Sequence, residues 1–287
     1  MIKYLVLSGG GQNFFNYIGI FEHLLNIDYI NINNIKSIYG TSSGSIIATI
    51  LCLKYEWKDI MEYVIERPWE NKLKIGLTDA MKILENNGLY NENIFIEIFK
   101  SLLAGRNLSL DVTLKEFFEY SNIELFIYTF ELNNFEEVEL SYKSFPDLKL
   151  LDAVRMSCSI PLLIKPLCID NKCYIDGGIS CNYPVNKCII NESCDLNEIL
   201  GIKNFNSGTS INEITNNSNI GDYFTVLIKR LMDYIKEDAE KIPNEVHLYH
   251  QGVSLEILIE ALLNKEQRIK LINDGIRIAE TYIQYKN

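Results

Sequence analysis

A chain of 287 residues can bury a large core, either as one α/β domain or as two smaller ones. Apolar residues make up 47% and charged residues 23%, ordinary proportions for a soluble globular protein. The net charge of −11 argues against a nucleic-acid partner and against simple electrostatic docking to anionic membranes.

The chain opens on Ile2 to Leu7, a largely apolar run suited to a strand buried in a parallel sheet. The run is too short for a signal-peptide core. No other apolar run reaches membrane-spanning length, so a cytoplasmic location is the expectation. Ser8-Gly9-Gly10-Gly11 ends the strand, and Phe15, Ile18, Phe21, Leu24 and Leu25 then share one helical face. A second strand, Lys36 to Tyr39, leads into Gly40-Thr41-Ser42-Ser43-Gly44, with a helix from about Ser43 through Leu53. Strand, turn and helix, twice over, is the pattern of a parallel sheet with crossover helices.

Residues 56 to 105 read as mostly helical. One apolar face carries Ile60, Tyr63 and Val64, another Ile94, Ile98, Phe99 and Leu102, with breaks at Pro68 and Gly76. Leu125 to Leu132 and Glu137 to Tyr142 read as paired strands about Asn133-Asn134. A short helix at Leu151 to Met156 precedes Pro161. The strand Cys173 to Ile175 stops at Asp176-Gly177-Gly178. Leu200 to Ile202 and Val246 to Tyr249 read as further strands, Gly208 to Gly221 as a polar loop, and 221–237 and 265–285 as amphipathic helices. With no repeat and no linker, residues 1–287 are expected to form a single domain whose C-terminal part, 221–287, is helical.

Seven cysteines are present, six of them between Cys158 and Cys194. None is spaced C-x-x-C and histidine is scarce, so zinc is not expected and the thiols are read as reduced and mostly buried.

Three segments carry chemistry. Gly40 to Gly44 fits G-x-S-x-G, in which a sharp strand-to-helix turn exposes the hydroxyl of Ser42. Gly40 and Gly44 leave room for strand and helix to approach, and the helix N-terminus behind Ser42 favours a developing oxyanion. Gly9-Gly10-Gly11 lies where backbone N–H groups can converge on an anion. It fits neither a Rossmann loop, which would need glycine at Phe14, nor a P-loop. Asp176 offers a carboxylate on a glycine turn, and by itself it reads better as an ordinary Asp-Gly turn.

Taken in order, these segments resemble the patatin-like phospholipase family. Leu5 to Gly11 with Ile18-Gly19 is similar to the family's opening, and Gly88-Leu89-Tyr90 to a tripeptide its members carry. Asp152 to Pro161 resembles the block "AVRAS.SIP", and Tyr174 to Gly178 with Asn182, Pro184 and Val185 resembles "YvDGGl.nN.Pv". The resemblance covers roughly residues 3 to 190. It implies a three-layer α/β/α fold with a mainly parallel central sheet, and a Ser–Asp dyad without histidine. Ser42 would be the nucleophile and Asp176 the general base and acid, its pKa raised by burial. Gly10 and Gly11 would donate to the oxyanion, with Ser43 adding a third N–H. Gly9, Gly40, Gly44, Gly177 and Gly178 would support these motifs. The glycine loop departs from the family at Asn13 and Phe14, which replace a basic residue and a glycine. Arg155 matches a family arginine and reads as structural.

The implied activity is that of a serine acyl hydrolase on lipid esters, of phospholipase A or lysophospholipase type. It needs no metal or other cofactor, and its partners are a phospholipid or other lipid ester and, transiently, a membrane or micelle surface. Alternatives are a patatin-like module that binds lipid or protein without turnover, a reading prompted by Asn13 and Phe14, and a broad carboxylesterase. A Ser–Asp–His triad through His247 or His250 is a further alternative, disfavoured by the Asp-Gly-Gly and first-strand glycine blocks.

Overall fold

The computed structural model describes residues 1–69, 87–206, 214–216, 218, 223, 226–228, 230–231, 235, 238–250 and 260–286. Gly76, most of the polar loop at 208–221 and most of the helix expected at 221–237 lie outside the described residues. The chain begins with β1 (Tyr4–Leu7), α1 (Phe14–Asn26), β2 (Ser37–Thr41), α2 (Ser43–Cys52) and α3 (Trp57–Glu66). There follow β3 (Gly88–Tyr90), α4 (Asn93–Ala104), α5 (Leu114–Ser121), β4 (Glu124–Glu131), β5 (Glu136–Leu140) and α6 (Leu150–Cys158). The remainder comprises β6 (Leu162–Ile164), β7 (Leu167–Ile169), β8 (Lys172–Asp176), α7 (Val185–Glu192), β9 (Ile199–Asn206), β10 (Asn244–His250) and α8 (Lys265–Lys286).

Among the described residues, eight strands form one sheet in the order β10-β9-β1-β2-β4-β8-β7, with β5 on β4. The β10, β9, β1, β2 and β4 neighbours are parallel. The pairings of β4 with β5 and β8, and of β7 with β8, are antiparallel. β1 and β2 are buried along their whole length, as parallel strands covered on both faces must be. Alternate residues serve opposite faces. Leu5, Leu7, Ile38, Leu125 and Ile127 join the larger core under α1, α2, α3 and α4. Tyr4, Val6, Tyr39, Phe126 and Tyr128 join a smaller one under α7. The fold is therefore mixed α/β, with a mostly parallel sheet between helical layers. α8 packs along α1, where Asn16 Nδ2 donates to the Leu271 carbonyl at 2.8 Å.

Several expectations need correction. α5 and α7 stand where no helix is expected from the apolar pattern. α5 is begun by a capping box in which Thr113 Oγ1 accepts from the Glu116 N–H and the Glu116 carboxylate accepts from the Thr113 N–H. β6 and β7 are three-residue strands, too short for a periodic signal. The strand expected at Val246 to Tyr249 is present as β10 and extends the parallel sheet, so the C-terminal part is not wholly helical. Cys168 and Cys173, expected to be reduced, are joined in a disulfide. They face one another across the β7–β8 hairpin, with Cα atoms 4.1 Å apart, so register brings them together. Both lie toward the surface, whereas Cys52, Cys158, Cys181 and Cys188 are buried and in no disulfide. Among the described residues no helix is long and apolar enough to cross a membrane.

Candidate active site

The sheet register draws two distant parts of the chain together. β5 occupies one edge of β4 from Ile127 to Glu131, so β2 and β8 share the other edge. β2 runs parallel to β4 and ends at Thr41, opposite Tyr128. β8 runs antiparallel and ends at Asp176, opposite Thr129. The two strands thus meet head to head, one residue apart along β4. Ser42 and Asp176 lie at that junction, and Ser42 Oγ donates to Asp176 Oδ2 at 2.6 Å.

Ser42 has φ 52° and ψ −124°, a conformation that costs a side-chain-bearing residue about 1–3 kcal/mol. The surroundings impose it. A Cβ on Gly44 would lie 2.3 Å from the Leu7 carbonyl oxygen, and one on Gly40 would lie 2.8 Å from that of Gly44. Glycine at both positions lets α2 leave directly over the ends of β1 and β2. The Ser42 N–H is taken by Ser157 Oγ at 2.8 Å, and that hydroxyl donates onward to the Tyr128 carbonyl at 2.6 Å. Ser157 thereby ties the bend to β4.

Asp176 is buried, and its other oxygen, Oδ1, accepts from the Gly178 N–H at 2.8 Å. Burial raises its pKa to about 6, while the hydrogen bonds from Ser42 and Gly178 oppose the rise. The N–H groups of Gly10, Gly11 and Ser43 have no acceptor among the described residues. Gly11, Ser42 and Ser43 all border one cavity. Ser43 Oγ is buried and also lacks a partner among the described residues.

The cavity is lined almost wholly by apolar groups. Ile46 and Ile50 of α2, Val64 and Trp69, Ile94, Phe95 and Ile98 of α4, and Leu163 and Ile164 form its walls. Phe14 and Phe15 border it as well, Phe15 fully buried and Phe14 partly so. They therefore serve both as core aromatics and as cavity wall.

The remaining candidates are placed as follows. His247 lies on the edge strand β10, three strands from β2, and its ring bonds Glu245 and Tyr249. The side chain of His250 lies outside the described residues. Arg155 bonds the Lys165 carbonyl and pairs with Glu92 at 3.2 Å, away from Ser42. Ser157 sits inside the quoted Asp152–Pro161 block, yet nothing in that block marks its role. Asn204 contacts the glycine loop, and no local signal on β9 announces it.

Residues 5–189 match the family described as patatin-like phospholipase. The chain is 32% identical over 187 residues to "Probable lipid hydrolase 463L" of Invertebrate iridescent virus 6, an alignment covering 64% of this chain and 62% of that protein. It is 30% identical over 294 residues to "Uncharacterized protein R571" of Acanthamoeba polyphaga mimivirus, covering 95% of each. Among solved structures, VipD from Legionella pneumophila superposes with a TM-score of 0.49 at 15% identity, covering 96% of this chain and 67% of that one. With the matched segment spanning more than half its length, this chain belongs to the patatin-like phospholipase family.

Proposed function

We propose that the protein hydrolyses lipid esters through Ser42 and Asp176, as an acyl hydrolase of phospholipase A or lysophospholipase type. The observation that carries the reading is the 2.6 Å hydrogen bond between Ser42 Oγ and Asp176 Oδ2 at the wall of an apolar cavity. Ser42 Oγ attacks the ester carbonyl as its proton passes to Asp176. The N–H groups of Gly10, Gly11 and Ser43 receive the charge on the tetrahedral oxygen. Asp176 returns the proton to the leaving alcohol, then accepts one from the water that attacks the acyl-enzyme and passes it to Ser42 Oγ as the fatty acid leaves. Family membership and the relative named as a lipid hydrolase support the substrate class.

The pH profile follows from the burial of Asp176. Only its ionised form can accept the Ser42 proton. With a pKa of about 6, kcat/KM should rise through that pH and level off above it. Rates for a monomeric ester across this range check the limb. A profile flat down to about pH 4, the ordinary carboxylate value, would contradict it.

The cavity also sets an acyl-chain preference. Ile46 and Ile50 lie four and eight residues beyond Ser42 on α2, about 6 and 12 Å along the helix axis. Each methylene buried along this wall contributes about 0.8 kcal/mol, so kcat/KM should rise by up to about fourfold per methylene until the chain passes Ile50. Ile50→Trp should shorten the preferred chain and spare short esters. An unchanged length preference in Ile50→Trp would count against the acyl chain lying on this wall.

A further inference from the structure

The proposed oxyanion donors are backbone groups, so their direction depends on what holds the peptide planes. In a planar trans peptide, the carbonyl of one residue and the N–H of the next point in opposite directions. The Gly9 carbonyl is therefore the reverse side of the Gly10 N–H, and the Gly10 carbonyl that of the Gly11 N–H. Both carbonyls are tied. The Gly9 oxygen accepts from Asn204 Nδ2 at 2.6 Å and from Asn182 Nδ2 at 3.4 Å. The Gly10 oxygen accepts from the Asn13 N–H at 3.0 Å.

Asn13 and Asn204 are joined to each other. Asn13 Nδ2 donates to Asn204 Oδ1 at 2.9 Å. The Gly9 carbonyl, which can only accept, settles which way the Asn204 amide faces: its nitrogen toward Gly9, its oxygen toward Asn13. The Asn204 backbone is held in turn, its N–H donating to Ser8 Oγ at 2.9 Å. Asn13 is buried, and a Cβ on Gly10 would stand 2.2 Å from Asn204 Nδ2. Loop and amide pair are thus in direct contact.

We infer that Asn204 is a positioning residue, locked by Asn13, that aims the Gly10 N–H at the oxygen of the substrate carbonyl, while the Asn13 N–H holds the peptide that carries the Gly11 N–H. The inference rests on the hydrolase reading above. Asn13 supports the loop from behind, through its side chain on Asn204 and its N–H on the Gly10 carbonyl. A hydrogen bond to a carbonyl also polarises its own peptide, which strengthens the N–H as a donor.

Asn204→Asp tests this. It keeps the size and the acceptor for Asn13, but turns an oxygen toward the Gly9 carbonyl. For a monomeric short-chain ester, kcat should fall about ten- to a hundredfold, short of the ~10²–10³ of losing a donor outright. KM should move less than about twofold. A trifluoromethyl ketone, which adds to Ser42 as a tetrahedral oxyanion, should lose affinity in proportion to kcat. A non-hydrolysable ether analogue should bind as before. Asn13→Ala should shift the same readings in the same direction by less, and it decides the question if Asn204→Asp does not fold. Unchanged kcat and ketone affinity would overturn the proposal, as would a loss confined to KM or ether binding. Absence of Ser42-dependent turnover in the unsubstituted protein would overturn the hydrolase reading, and this proposal with it.

Discussion

Ser42→Ala is expected to reduce fatty-acid release by about 10⁴-fold or more, judged from the loss of nucleophiles that act as a unit with their base. The substitution removes one oxygen and leaves the rest of the site in place. The Ser42 N–H still donates to Ser157, because that bond is made by the backbone. The apolar walls are untouched, so binding of a lipid ligand should survive. The split between binding and turnover separates a hydrolase from a lipid-binding module. Equal residual hydrolysis in the two proteins would favour the module. The positive φ of Ser42 is strained for alanine too, but the buried Asp176 carboxylate loses the donor on Oδ2, so stability at neutral pH should fall by about 1–3 kcal/mol.

Asp176→Asn is expected to act in opposite directions on activity and stability. Asparagine can keep the bond from the Gly178 N–H through its oxygen. Its NH₂ group then donates toward Ser42 Oγ, where the carboxylate accepts. The hydroxyl loses its base, and kcat should fall by about 10²–10⁴. The buried charge disappears with it. Between about pH 4 and pH 6 the folded chain holds a proton that the unfolded chain has released, so the stability of the unsubstituted protein falls as pH rises through that window. A pKa of about 6 against an unfolded value near 3.8 makes the ionised group worth about 3 kcal/mol against folding at pH 7. Asp176→Asn should therefore melt higher at neutral pH, by roughly 2–4 °C per kcal/mol, and the advantage should vanish near pH 4. Thermal melts at the two pH values, run beside the activity assay, check both signs. A lower melting temperature at pH 7 would mean that the ionised carboxylate stabilises the fold.

The parts of this architecture that were legible in the sequence are the local ones. β1, α1, β2 and α2 follow from apolar runs, helical spacing and glycine punctuation, each readable within about ten residues. The strand pair about Asn133-Asn134 was readable for the same reason, and its antiparallel register is observed. Ser42 could be singled out because its motif is a local backbone requirement. Asp176 could not be separated from an ordinary turn residue on local grounds, and only the ordered blocks pointed to it. Its approach to Ser42 is made by β4, which receives both strand ends on one edge. Non-local pairing also explains what was missed. Ser157 reaches the Ser42 N–H across 115 positions, and Asn204 reaches Gly9 across 195. Cys168 and Cys173 meet through a hairpin register that cysteine spacing does not express. α5 is different, since Thr113 and Glu116 carry a capping-box spacing that was open to view.

The most direct test of the central claim is the mass of the protein after exposure to an alkyl fluorophosphonate, with the modified residue located by fragmentation. The account predicts a single adduct, carried by Ser42 and absent from Ser42→Ala. An adduct on another residue, or fatty-acid release that persists in Ser42→Ala, would contradict it.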